Sequence, residues 1–311
     1  MIRLLLSAVS NNQALAAKAV SWGLKRILNP KPTLRIHKIS NFEFRIMEQM
    51  TNNPPIQYSC YFSRSSKGEQ FVPEHTLVYI ISGSLVMTDN SHTVSFNTGD
   101  IYFCRRNNLV KYSKCPPDRG EYQSISIYFD QQTLRNISLE YGYKAVQQDV
   151  TPAFQRISSS EVANYMRSLL AYETILKRIG TDELLFVKQK EAILLLLQLV
   201  PSFKNLLFDF SEPGKIDLEG FMERNYHYNV QMQRFAYLTG RSLATFKRDF
   251  EKIFSKPPSR WLQERRLQEA YYLIKDQRKT PSDVYLDVGF EDLSHFSFVF
   301  KKKYGIPPSK L

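Results

Sequence analysis

Leu243-Ala244-Thr245-Phe246-Lys247-Arg248-Asp249-Phe250-Glu251-Lys252-Ile253-Phe254-Ser255-Lys256-Pro257-Pro258-Ser259 returns fifty residues later as Leu293-Ser294-His295-Phe296-Ser297-Phe298-Val299-Phe300-Lys301-Lys302-Lys303-Tyr304-Gly305-Ile306-Pro307-Pro308-Ser309. The leucine, both core phenylalanines, one lysine and Pro-Pro-Ser keep their places. In each copy apolar residues recur at i, i+3, i+7 and i+11, a spacing that winds one narrow stripe down a helix and leaves the opposite face free. Ser242 and Asp292 stand where an N-cap would accept an unpaired amide, and Pro-Pro stops each helix. Ahead of each copy lies a short apolar helix, Gln231 to Leu238 or Pro281 to Val288, followed by a turn with Gly240 or Gly289. Two helices joined by a short glycine turn are the helix-turn-helix arrangement, whose second helix fits a major groove ~12 Å wide.

The free faces carry Lys247, Arg248 and Lys252 in the first copy and Lys301, Lys302 and Lys303 in the second. An ordinary helical bundle with a solvated basic face would show such charge once; its return at the same offset and the same helix end favours a polyanion. Between the copies Pro258 to Lys275 reads as one helix, with Trp261, Leu262, Arg265, Leu273 and Ile274 on its inner side or edge. A rigid helix there sets the second helices of the two copies to meet successive major grooves about one turn, ~34 Å, apart.

The 311-residue chain carries a net charge of +12 that is unevenly spread. Residues 1–42 hold seven basic and no acidic residues, residues 43–213 are close to neutral, and residues 214–311 hold 18 basic against 12 acidic. Three regions with different jobs follow. Residues 1–50 form a basic N-terminal segment of unknown role, whose start, Met1 to Val9, loosely imitates a secretory signal with too short an apolar run. Residues 51–209 open with strand signals from Gln57 to Phe129: a Val, Ile, Tyr and Leu-rich stretch from Thr76 to Met87, a turn at Asn97-Thr98-Gly99-Asp100, and alternation at Ile125, Ile127 and Phe129. From Ser158 the period turns helical, and Asp182 to Val200 is apolar on most faces, which calls for burial by a second subunit or by the chain itself. Residues 210–216, with Pro213-Gly214, are the linker candidate, and residues 217–311 hold the repeat.

No apolar stretch approaches the ~20 residues of a membrane span. Three cysteines, Cys60, Cys104 and Cys115, without metal or disulfide spacing suit a reducing compartment. No P-loop, dinucleotide fingerprint, G-x-S-x-G or H-E-x-x-H occurs, and His75 and His92 stand alone, so neither a metal nor a cofactor is expected. Asp182-Glu183 at a helix start is explained by the helix dipole.

The repeat region resembles the AraC/XylS family of bacterial transcription regulators. The likeness rests on Phe246-Lys247-Arg248-Asp249-Phe250, Arg266-Leu267 with Ala270 and Leu273, Val288-Gly289-Phe290, Ser294-His295-Phe296 and Phe300 through Gly305 with Pro308-Ser309. The resemblance implies base contacts from Ala244, Thr245, Lys247 and Arg248 in the first copy and from Ser294, His295 and Ser297 in the second, with phosphate contacts from Ser242, Lys252 and Lys301 to Lys303. Phe298 departs from the arginine that many members place opposite Arg248; it can offer only apolar contact, which shifts the weight of the second copy toward the phosphate backbone. Phe71-Val72-Pro73-Glu74-His75, Ile81-Ser82-Gly83-Ser84 and Thr98-Gly99-Asp100-Ile101 resemble the cupin-like sensor barrels that precede this DNA-binding domain. Together they imply an antiparallel β cupin-like barrel with an α-helical dimerisation hairpin, followed by an all-α tandem helix-turn-helix domain. The expected protein is a cytoplasmic homodimer on double-stranded promoter DNA, with RNA polymerase as a further partner. A small-molecule effector would meet His75, Tyr79, Tyr102, Phe103, Tyr112 and Tyr128, although a filled barrel core is the more frequent role for such aromatics. The rival is a metal-dependent cupin-type enzyme carrying a DNA-binding tail.

Overall fold

Strand β3 (His75–Ser82) is buried almost from end to end, and that fact organises the β region around it. It pairs antiparallel with β6 (Ile101–Cys104) on one side and β9 (Tyr122–Phe129) on the other; β1 (Ile56–Tyr61) and β10 (Phe154–Arg156) complete a five-stranded sheet in the order β1-β9-β3-β6-β10. A second antiparallel sheet has the order β5-β4-β8, from β4 (Ser84–Thr88), β5 (Thr93–Asn97) and β8 (Lys111–Cys115), while β2 (Phe71–Val72) pairs with β7 (Asn108–Leu109). The structure is a computed structural model that describes residues 54–65, 69–147, 152–176, 178, 180 and 182–311. The N-terminal segment read as residues 1–50, with its signal-like start, lies outside the described residues.

Side chains alternate across a strand, so a strand covered on both faces reads as a continuous apolar run. Val78 and Ile80 meet Leu85, Met87, Phe96, Tyr102 and Tyr122 between the two sheets. Leu77 and Tyr79 face the other way, with Phe103, Ile125 and Ile127, onto helices. Those helices are α1 (Gln131–Tyr141), α2 (Ser160–Ser168), α3 (Glu173–Leu176), α4 (Asp182–Leu199) and α5 (Phe203–Leu207). Asp130 caps α1 by accepting the Thr133 amide, and Ser159 caps α2 by accepting the Val162 amide.

The near-uniform apolarity of α4 is only partly used within the chain. Leu185, Gln189, Ala192, Ile193 and Leu196 are buried, with the Gln189 amide donating to the Tyr128 carbonyl. Val187 stays 54% exposed, and Leu199, Leu170, Tyr172 and Ile175 are exposed with it. Leu170, which the helical period would bury, instead falls in a 3₁₀ turn, Leu169–Tyr172, where the phase of the helix changes.

The C-terminal half is helical: α6 (Leu218–Asn225), α7 (Met232–Leu238), α8 (Leu243–Phe254), α9 (Pro258–Lys275), α10 (Pro281–Asp287) and α11 (Leu293–Tyr304). Two cores form here. One joins Leu218, Met222, Phe235, Phe246, Phe250 and Leu262; the other joins Leu267, Ala270, Ile274, Val284, Phe296 and Phe300. The first of them also takes in Phe71 of β2 and Leu109 of β7, which no local pattern in the sequence places there. Residues 51–311 accordingly cluster as one compact unit, and the first helix-turn-helix core is closed by side chains from the β region.

Phe71→Ala is expected to destabilise the C-terminal half by about 3 kcal/mol, the range for removing a buried phenyl ring. Chemical unfolding followed through the near-ultraviolet signal of Trp261, which lies against the same core, checks it.

Candidate nucleic-acid interface

Helices α8 and α11 are each twelve residues long and sit fifty residues apart, as the repeat requires. In α8 the Ser242 side chain accepts the Thr245 amide at 3.2 Å and donates to the Thr245 hydroxyl at 3.0 Å. In α11 Asp292 accepts the His295 amide at 2.6 Å. Phe246 and Phe250, and likewise Phe296 and Phe300, anchor the inner stripes with no exposure. That burial fixes which residues remain outside.

On α8 the outer face presents Ala244, Lys247, Arg248 and Lys252, with Thr245 half-buried beside its cap. Arg248 is 67% exposed, and its nearest acid, Asp249, lies 3.7 Å away. Asp249 is held more closely by Arg241, at 3.2 Å, and that guanidinium keeps its carboxyl below the usual carboxylate range. The Arg248 fork is thus largely free. On α11 Ser294, His295, Lys301 and Lys302 are exposed and Ser297 is half-buried. Lys303 turns away from this face: its ammonium donates to the Glu264 carbonyl on α9 at 3.0 Å, where partial burial lowers its pKa.

Helix α9 spans the residues the sequence assigned to it and divides its apolar side between the two cores, Trp261 and Leu262 toward the first, Leu267, Ala270 and Ile274 toward the second. Arg265, placed at its edge, pairs with Glu223 at 3.3 Å and lies over the Tyr226 ring. Its neighbour Arg266 holds the joint between the modules. Arg266 Nε donates to the Tyr226 carbonyl at 2.7 Å, Nη2 to the Tyr228 carbonyl at 2.8 Å and Nη1 to the Gly289 carbonyl at 2.8 Å. Burial brings its pKa down to about 10, so it stays charged at neutral pH, as three carbonyl partners require. Gly289 has φ +95°, and a Cβ there would stand 2.8 Å from the His227 carbonyl and 2.9 Å from the guanidinium. Gly240 plays the matching part in the first module, where a Cβ would collide with the backbone of Gly214 and Lys215.

The β region grips the same half. Glu69 takes a two-pronged bond from Arg234 at 2.9 Å, Asn90 donates to Asn225 at 2.8 Å, and Gln70 accepts the Asn229 amide at 2.9 Å. Lys111 of β8 donates to the Asp287 carbonyl at the end of α10. Arg106 donates to the Asp209 and Ser211 carbonyls, pinning the connection into the helical half.

The six residues expected to line one effector pocket do not share one side of the sheet. Tyr79 and Phe103 belong to the helix-facing core, and His75 stacks on Phe103 at 5.6 Å. Tyr102 and Tyr112 lie between the sheets, and the Tyr128 hydroxyl donates to Gln57 at 2.9 Å. Strand alternation separates the two groups. Among the described residues no group of three or more His, Cys, Asp or Glu side chains is arranged to hold a metal, and no helix is long and apolar enough to cross a membrane. Cys60 is exposed, Cys104 buried and Cys115 half-buried, all as free thiols.

Two domain families match this chain: a helix-turn-helix domain over residues 235–311 and the ExsA N-terminal regulatory domain over residues 75–207. The HTH-type transcriptional regulator ExsA of Pseudomonas aeruginosa is 21% identical over 259 residues, covering 81% of this chain and 91% of the relative. The virulence regulon transcriptional activator VirF of Yersinia enterocolitica is 25% identical over 255 residues, covering 77% and 90%. The chain belongs to the AraC/XylS family of transcription regulators. It is a DNA-binding regulator, and the enzyme reading falls away because the relatives it matches over about 90% of their length are named as transcription regulators. Among solved structures, an apo form of ToxT from Vibrio cholerae strain SCE256 aligns with a TM-score of 0.42 and 12% identity over 83% of this chain and 97% of that one.

Within this AraC/XylS regulator, two buried histidines couple stability to pH. Burial lowers His75 to about 3, with Arg106 and Arg105 adding to the shift; burial lowers His227 to about 3, with Lys111 and Arg266 adding to it. Both therefore stay neutral when folded, while the unfolded chain takes up protons below about 6.5. Their contribution is complete above that value and is lost as pH falls toward 3, at roughly 1.4 kcal/mol per pH unit for each. Between pH 6.5 and 5, where carboxylates remain ionised, unfolding free energy should fall with pH. His75→Asn and His227→Asn should each flatten that slope by about one proton in denaturant titrations.

Proposed function

We propose that the chain regulates transcription as a homodimer, each subunit laying α8 and α11 into successive major grooves of its promoter. The observation that carries the reading is the pair of equally long basic helices whose inner stripes are seated on the two ends of one continuous helix, α9. A shared rigid helix holds both outer faces at a set separation, as recognition of adjacent grooves demands.

In this reading Arg248 is the main base-reading side chain, with Ala244, Thr245 and Lys247 beside it and Ser294, His295 and Ser297 as the contacts of α11. Ser242, Lys252, Lys301 and Lys302 meet phosphates, and Lys303 joins them only by leaving the Glu264 carbonyl. The same reading divides the chain into a regulatory part, residues 51–209, a linker at 210–216 and a DNA-binding part, 217–311; the coil between α5 and α6 supports that division. A small-molecule effector would be met between the sheets by Tyr102, Tyr112 and Tyr128. Promoter binding puts the protein in the cytoplasm with the chromosome, and RNA polymerase is the partner through which the relatives named activators would suggest it works. Dimerisation is supported by the apolar surface of Leu170, Tyr172, Ile175, Val187 and Leu199, which the chain leaves uncovered.

Selection of sites from random DNA tests the base assignment. Arg248→Ala should cost ~1 to 3 kcal/mol on the best site and relax preference at one or two base pairs. Lys302→Ala should weaken all sequences alike and lower the salt slope by about one ion. An unchanged motif for Arg248→Ala contradicts the reading. For assembly, sedimentation of the full chain should show a dimer at micromolar concentration that Val187→Asp converts to monomer; a monomeric parent chain refutes it.

A further inference from the structure

Phe298 is 67% exposed on a helix whose other phenylalanines, Phe296 and Phe300, are fully buried. One turn before it stand Ser294 and His295, and one turn after it Lys301 and Lys302, all exposed. The ring therefore occupies the middle of the outer face of α11, at the position that Arg248 holds on α8. A single exposed apolar side chain is ordinary on a protein surface. This one is set apart by its surroundings: hydroxyl, imidazole and ammonium groups suited to nucleic acid frame it, and among the described residues no side chain covers most of its ring.

A phenyl ring neither donates nor accepts a hydrogen bond of consequence, so it gains nothing from the N7, O6, N6 or N4 groups of the major groove. The one apolar feature that groove displays is the thymine C5 methyl. We propose that Phe298 reads thymine through that methyl group, making α11 a direct reader with a preference for thymine over cytosine at one or two positions. The two modules then divide the code by chemistry. Arg248 takes a hydrogen-bonding purine edge, while Phe298 takes a hydrocarbon, with Lys301 and Lys302 supplying attraction that is blind to sequence. The inference rests on the reading that α11 enters a major groove.

The test uses the full chain on its best site selected from random DNA. Each thymine in the half covered by α11 is replaced singly by deoxyuridine, which removes only the methyl. Wild-type protein should lose about fourfold in affinity at one or two positions, the equivalent of one buried methyl-sized group. Phe298→Ala should bind thymine and deoxyuridine equally there, and 5-methylcytosine opposite guanine should recover part of the affinity that wild type loses on a thymine-to-cytosine change. Phe298→Arg should shift selection in that half toward guanine. The preference read by Arg248 serves as the folding control, since it should persist in both variants. A wild-type protein indifferent to every deoxyuridine overturns the inference while leaving the major-groove reading standing, as does a Phe298→Ala variant that still distinguishes the two bases. A parent chain that selects no sequence at all overturns both.

Discussion

The Arg266 guanidinium, set in a buried joint and bonded to three carbonyls, is the interaction on which the geometry of the DNA-binding half depends. Its partners come from Tyr226 and Tyr228, just after α6, and from Gly289, in the turn between α10 and α11. None of these carbonyls has a helical partner, so each would otherwise be a buried acceptor left unmade, at about 1–3 kcal/mol apiece. One side chain on α9 thus ties the end of the first module to the turn of the second. Gly289 is part of the same arrangement, because only a residue without Cβ leaves room for the guanidinium. The β region reaches this joint through Lys111 at the end of α10 and through Gln70, whose partner Asn229 also donates to Glu291. A change in the β region therefore has a direct physical route to the separation of α8 and α11.

The internal repeat is symmetric where it packs and asymmetric where it faces outward. Phe246 and Phe296, and Phe250 and Phe300, occupy equivalent core positions with equal burial. Outward, Arg248 is answered by Phe298 and the neutral cap Ser242 by the acidic Asp292. Even the helix ends differ: Ser255 adopts the left-handed conformation at φ 55° where Gly305 does so at φ 80°. A duplicated scaffold supplies the same placement twice, and the exposed side chains then give each copy its own chemistry. Under the proposed reading, an AraC/XylS regulator built this way reads a site whose two halves are unrelated in sequence.

The β region contributes to the DNA-binding half as structure and not only as a neighbour. Phe71, edge-on to Tyr237 and covered by the Arg234 guanidinium, completes the first module's core, and Glu69 completes the charge of that guanidinium. The first module is consequently anchored through both its apolar core and its ion pair. The second is held mainly through α9 and the Lys111 contact, so the two differ in how firmly the β region constrains them.

Much of the helical half was legible in the sequence because helices are specified locally. The apolar stripe, the caps Ser242 and Asp292 and the Pro-Pro stops mark α8 and α11, and the run from Pro258 to Lys275 coincides with α9. Exposure of Arg248, Lys302 and Phe298 follows from the same 3.6-residue period. The strands of the β region were legible as strands, since alternation is also local. What the sequence by itself could not determine is which distant residues meet. The expected effector set fell apart because Tyr79 and Tyr102, which lie on neighbouring strands one register step apart, point to opposite faces, and strand register is decided by pairing across the whole sheet. Lys303 looks like its two neighbours in sequence, yet α9 lies within its reach and takes its ammonium. Phe71 and Arg266 carry no local signal of their roles, because a residue that closes another module's core or satisfies three separate carbonyls acquires that role only when segments far apart in the chain are packed together.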